Sequence, residues 1–157
     1  MVTGLRATWS TPAGLIGTEL MVTRAGAENA PVTGIVRLDH VQLAMPPGEE
    51  ERAAAFYEGV LGIPRVPKPA PLAARGGCWF ESGALKVHLG VEAEFRPARK
   101  AHPAFAVSAL SEMVDRLRAA GVEVREGDAV NQVYVDDPFG NRIELMEPTA
   151  PVTPPRG

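Results

Sequence analysis

The sequence predicts an α+β domain assembled from two βαβββ modules. Three observations carry this. A strand-like run followed by a helix-period stretch occurs twice, and both helix-period stretches end at a glycine. The chain has three histidines, and all three fall at matching places in the two halves, with Glu144 at the fourth.

The first strand signal is Leu38-Asp39-His40-Val41-Gln42-Leu43-Ala44-Met45, where apolar residues alternate behind a histidine. Glu49 to Leu61 then places Ala53, Phe56, Tyr57, Val60 and Leu61 at spacings of three and four, one face of a helix. Gly62 follows as a left-handed C-terminal cap. Strands are expected at Gly77-Cys78-Trp79-Phe80-Glu81 and at Leu85-Lys86-Val87-His88-Leu89-Gly90. The stretch between them and the helix, with Pro64, Pro67, Pro69 and Pro71, reads as a stiff loop.

The second half repeats the plan. His102-Pro103-Ala104-Phe105-Ala106-Val107 is the strand, and Ser111 to Ala120 is the helix, with Met113, Val114, Leu117 and Ala120 on one face and Gly121 as its stop. Val122-Glu123-Val124, Gln132-Val133-Tyr134-Val135 and Arg142-Ile143-Glu144-Leu145 are the expected strands, and Asp137-Pro138-Phe139-Gly140-Asn141 is the turn before the last. The modules span 35–94 and 101–147, within a domain of 34–148. Residues 1–33 lack periodicity and read as a flexible extension, within which Met21 is an alternative start. Residues 149–157 read as a disordered proline-rich tail.

Composition narrows the function classes. A chain of 157 residues that is 45% hydrophobic can bury one proper core. A net charge of −3 argues against a nucleic-acid partner, which needs a strongly basic face. A single cysteine excludes an internal disulfide and points to the cytoplasm, with Cys78 as a small buried hydrophobe. No stretch suits a membrane span, and no basic region precedes the uncharged run Ala7 to Thr18 as a signal peptide would require.

The chemistry rests on Glu144. A carboxylate between Ile143 and Leu145 costs several kcal/mol unless it is paired, protonated, metal-bound or on a wet face. His40 and His102 stand at the heads of the two first strands, His88 and Glu144 in the two last. Imidazoles with a carboxylate suit a divalent first-row transition metal (Fe, Mn, Ni, Co or Zn) and not calcium. The linker cations Arg96, Arg99 and Lys100 stand just before His102, either as a solvated charge run or as receptors for a carboxylate or phosphonate substrate.

Leu38-Asp39-His40-Val41, Phe56-Tyr57-Glu58-Gly59-Val60-Leu61-Gly62, His102-Pro103-Ala104-Phe105-Ala106-Val107 and Asp137-Pro138-Phe139-Gly140-Asn141-Arg142-Ile143-Glu144, in that order, resemble the vicinal oxygen chelate superfamily. That group holds glyoxalase I, fosfomycin-resistance transferases, bleomycin-resistance proteins and extradiol ring-cleaving dioxygenases. The resemblance implies a cup-shaped mixed sheet with the helices outside. It implies metal ligands at His40, His102 and Glu144, with His88 either a fourth ligand, as in glyoxalase I, or a proton carrier, as in the ring-cleaving enzymes. Glu144, His88 and Tyr134 are its implied catalytic residues. The ring-cleaving enzymes also carry a histidine shortly before the tyrosine, where this chain has Glu126-Gly127-Asp128. The implied function is a metal-dependent lyase, isomerase or dioxygenase that chelates two vicinal oxygens of a small, anionic substrate, working as a homodimer. The alternative is a non-catalytic ligand- or drug-sequestering protein of the bleomycin-resistance type.

Overall fold

A computed structural model describes residues 34–149. The expected extension at 1–33 and all but the first residue of the expected tail lie outside the described residues. The first module runs β1 (Val41–Met45), α1 (Glu50–Ala54), β2 (Arg65–Val66), α2 (Ala70–Ala73), β3 (Cys78–Ser82) and β4 (Leu85–Val91). The second runs β5 (Ala104–Ala106), α3 (Leu110–Ala119), β6 (Arg125–Glu126), β7 (Gln132–Asp136) and β8 (Arg142–Met146). Each module forms a four-stranded mixed sheet, ordered β1-β4-β3-β2 and β5-β8-β7-β6. In both, the first strand lies parallel to the last and the remaining pairs are antiparallel. The fold is therefore the α+β pair of βαβββ modules that the repeats predict.

Three elements differ from the sequence reading. Val122-Glu123-Val124 is not a strand; the pairing begins at Arg125. The Val122 amide is taken by the Leu117 carbonyl at 2.9 Å, which completes the helix stop at Gly121 (φ 75°) and delays the strand. In the first module, β2 and α2 emerge from the segment read as a stiff loop. Arg65 and Val66 pair with Phe80 and Trp79, and Pro64 and Pro67 on either side keep this edge strand short.

The core joins both sheets to the helices. Tyr57, Phe80, Met45, Leu89, Leu117, Ile143, Leu145, Val87 and Val135 are fully buried. Beyond α1, residues Ala55–Val60 continue as a wider π-helical turn, with the Leu61 amide bonded to the Phe56 carbonyl at 2.9 Å. That turn carries Tyr57 into the core, where its hydroxyl donates to Asp137 Oδ2 at 2.9 Å. Asp137 also accepts from the Phe139 and Asn141 amides at 2.9 and 2.8 Å and from Asn141 Nδ2 at 2.8 Å. Asn141, fully buried, reaches further: Nδ2 donates to the Ala44 carbonyl and Oδ1 accepts from the Ala98 amide, both at 2.9 Å. The Asp137–Asn141 turn thus ties β1, the inter-module linker and the first helix together. Burial pushes the Asp137 carboxyl above its usual range, against the four donors that lower it.

Gly77 shows why glycine is needed before β3. Its φ is 77°, and a Cβ there would sit 2.2 Å from the Leu89 carbonyl oxygen. The adjacent Cys78 is buried, as the sequence suggests, and burial pushes its thiol up to about 11. At pH 8 only about one thiol in 10³ would then be ionised. The expected result is negligible reaction with an aromatic disulfide reagent in the folded protein and rapid reaction in denaturant. Fast labelling of the native protein would contradict this environment.

Candidate metal centre

In β8, Ile143 and Leu145 turn into the core, which leaves Arg142, Glu144 and Met146 on the opposite face. The Glu144 carboxylate is therefore not in the apolar core; its side chain is 15% exposed and meets His102 Nε2 at 3.3 Å. Parallel pairing sets Ala104 opposite Glu144, two residues after His102. The other ring nitrogen, His102 Nδ1, lies 2.9 Å from the Lys100 carbonyl. A carbonyl only accepts, so Nδ1 carries the proton. In the neutral ring the Nε2 lone pair then faces a carboxylate, an arrangement that requires a proton or a metal cation between them.

Tyr134 is the antiparallel partner of Glu144. Its ring meets the edge of the His102 ring at a centroid distance of 5.5 Å, and its hydroxyl donates to Asp128 Oδ2 at 3.1 Å. Partial burial, followed by that hydrogen bond, raises the Tyr134 pKa, so the phenol keeps its proton at neutral pH.

The first module supplies the other pair. The two-residue connection Gly83-Ala84 between β3 and β4 sets Trp79 opposite His88, and the parallel β1 sets Gln42 on its other side. The His88 ring is stacked between Trp79 (centroids 4.0 Å apart, 7° between planes) and His40 (4.4 Å, 25°). His88 is buried, and its Nε2 has no hydrogen-bond partner; Glu81 Oε1 is 3.6 Å away. Burial, and then the neighbouring His40, lower its pKa and favour the neutral ring, against the opposing pull of Glu81. His40 Nδ1 lies 3.2 Å from Asp39 Oδ2. That hydrogen bond, then Lys86, holds the Asp39 carboxyl below its ordinary range.

His40 and His102 both line one cavity of about 360 Å³, together with Leu38, Asp39, Lys86 and Pro103. Among the described residues, no three His, Cys, Asp or Glu side chains gather into one metal-holding group. The four expected ligands thus occur as two pairs, His40 with His88 and His102 with Glu144. Their donor chemistry fits a first-row divalent ion, and the unpartnered His88 Nε2 fits a ligand or proton-transfer role. Arg96, Arg99 and Lys100 are exposed and do not line this cavity; Lys100 touches the site through its carbonyl alone. Trp79, Asp39 and Arg142 are neighbours of the site that the sequence reading passes over. The two-residue hairpin after Ser82 is the signal from which Trp79 opposite His88 follows.

Residues 37–145 match the family described as the Glyoxalase/Bleomycin resistance protein/Dioxygenase superfamily. Among solved structures, a glyoxalase family protein from Bacillus anthracis is 47% identical, with a TM-score of 0.70, covering 74% of this chain and 98% of its own. An integron cassette protein from V. cholerae is 27% identical (TM-score 0.56; 74% and 98% covered). The fosfomycin resistance protein FosX from Listeria monocytogenes, at 18% identity and a TM-score of 0.59 (74% and 96% covered), shares the fold. No curated protein matches the sequence. Among the described residues no helix is long and apolar enough to cross a membrane. The match over 37–145 and the 47% identity establish that the chain belongs to the Glyoxalase/Bleomycin resistance protein/Dioxygenase superfamily.

Proposed function

We propose that the protein is a divalent-metal-dependent enzyme of glyoxalase or dioxygenase type that chelates two vicinal oxygens of a small substrate. The observation that carries this reading is the His102–Glu144 pair. Its Nδ1 proton is committed to the Lys100 carbonyl, and its remaining lone pair faces a carboxylate at 3.3 Å. His40, His102 and Glu144 would hold the ion, with His88 as fourth ligand or proton carrier. A metal bound there supplies Lewis-acid polarisation of the substrate oxygens. Glu144 contributes the negative charge of the ligand set. The Lys100 carbonyl orients His102, and Asp39 orients His40 in the same way. His88, neutral and held flat by Trp79, can accept a proton at Nε2. The Tyr134 hydroxyl gives its one proton to Asp128, and it would have to release that carboxylate to donate to a substrate oxygen that gains charge.

We propose a homodimer in which sheet edges meet across a two-fold axis, although the cavity that His40 and His102 share lies within one chain. β1 and β5 each end their sheet, so both have an edge available for this. Anaerobic purification followed by elemental analysis is expected to find stoichiometric transition metal, and light scattering to find a dimer. Metal-free protein that gains none on exposure to Co(II), Ni(II), Zn(II) or Fe(II) would overturn the enzyme reading and leave the sequestering one. His88→Ala separates its two roles. Loss of metal marks a ligand, whereas retained metal with turnover reduced by roughly 10²–10⁴ marks a proton carrier.

A further inference from the structure

Arg142 lies on the same face of β8 as Glu144, two residues before it, so the two Cα atoms are about 7 Å apart. Its guanidinium sits over the Tyr134 ring, 5.3 Å from the centroid, and the edge of the His102 ring meets that same tyrosine. Three carboxylates of the surrounding elements, Asp136, Glu144 and Asp128, have other partners. Asp136, its cross-strand partner, is held by Arg125 at 2.7 Å. Glu144 turns to His102, and Asp128 accepts from the Tyr134 hydroxyl. Among the described residues Arg142 makes no ion pair, and its Nε is buried without a hydrogen-bond partner.

A buried guanidinium N–H without an acceptor costs stability, and natural structures leave few of them. Tyr134 covers the group from one side and so limits its motion, which favours binding of a planar anion by its fork. The Arg125–Asp136 pair removes the one neighbour that would otherwise close it. The linker cations offer none of this, because Arg96, Arg99 and Lys100 are exposed.

We infer that Arg142 is the substrate-anion receptor, and that the substrate is a small acid carrying a second carboxylate or a phosphonate beside its chelating oxygens. This rests on the metal reading for the chelating end and deepens it at the other end. Arg142 and Glu144 project from the same strand face two residues apart, which suits a small acid whose anionic group lies a few bonds from its chelating oxygens.

Malate and lactate test this as probes. Both present an α-hydroxycarboxylate for chelation, and malate adds one distal carboxylate. Their affinities are measured by calorimetry on the full chain loaded with Co(II), and in parallel on the metal-free protein. The wild type is expected to bind malate more tightly than lactate. Arg142→Met is expected to weaken malate by about 10- to 100-fold, the worth of charge-assisted hydrogen bonds, and to leave lactate within about twofold. Arg142→Lys, which keeps the charge and loses the fork, should fall between, and it carries the test if the methionine variant folds poorly. Malate binding that ignores both Arg142 variants overturns the inference, as does loss of malate binding in an Arg96, Arg99 and Lys100 alanine triple variant alone. The metal reading fails separately. If no Co(II) binds while metal-free protein shows an Arg142-dependent preference for malate, the receptor stands and the metal does not.

Discussion

Glu144→Gln is expected to lower the affinity for Co(II) or Zn(II) by more than about 10²-fold, since even residues that only orient metal ligands are worth 10–100-fold. The amide has the shape of the carboxylate, and the side chain lies outside the apolar core, so the fold should survive. The loss is electrostatic. An amide carries no negative charge to offset a dication, and its NH₂ can satisfy the His102 lone pair without any metal. Calorimetric titration together with circular dichroism reads both parts. Unchanged metal affinity in a folded Gln variant would refute Glu144 as a ligand.

Asn141→Ala is expected to cost about 3 kcal/mol of stability, near the upper end for a single substitution. The side chain is fully buried and spends its amide on Ala44 of β1, Ala98 of the linker and Asp137 of its own turn. Alanine leaves the half-buried Ala98 amide and Ala44 carbonyl without that partner, at about 1–3 kcal/mol for each group left unsatisfied. Asp137, already pushed up by burial, also loses one of its donors. Urea unfolding followed by tryptophan fluorescence measures the difference. A change below about 1 kcal/mol would mean that water replaces the side chain at this junction.

The periodic features of the chain were legible because they are local. Helix faces, glycine stops and the last strand of each module follow from residue spacing, and they place His40, His88, His102 and Glu144 at equivalent points of two matching sheets. What stayed hidden depends on partners. β2 is two residues between prolines and exists because β3 offers it an edge. The strand expected at Val122 starts at Arg125 because the Val122 amide serves the helix first. Arg142 reads in sequence as one more charge on a wet face. Only the register that joins Asp136 to Arg142, and the competing Arg125, leaves its guanidinium alone. The linker cations drew attention through their clustering, yet clustering in sequence says nothing about which side of the chain is buried.

β5 is only three residues long, Ala104–Ala106, and it contributes Ala104 beside Glu144 and Ala106 beside Met146. Both alanines are exposed along the free edge of their sheet. The room next to the carboxylate is therefore made by missing side-chain volume. A methyl is the least that a residue other than glycine can place there. Bulk added at either position would narrow the neighbourhood of Glu144 without altering a ligand or a charge. If the proposed acid binds beside Glu144, this strand would set its size, and exchanging these two residues would admit shorter or longer acids while the surrounding charges stay the same.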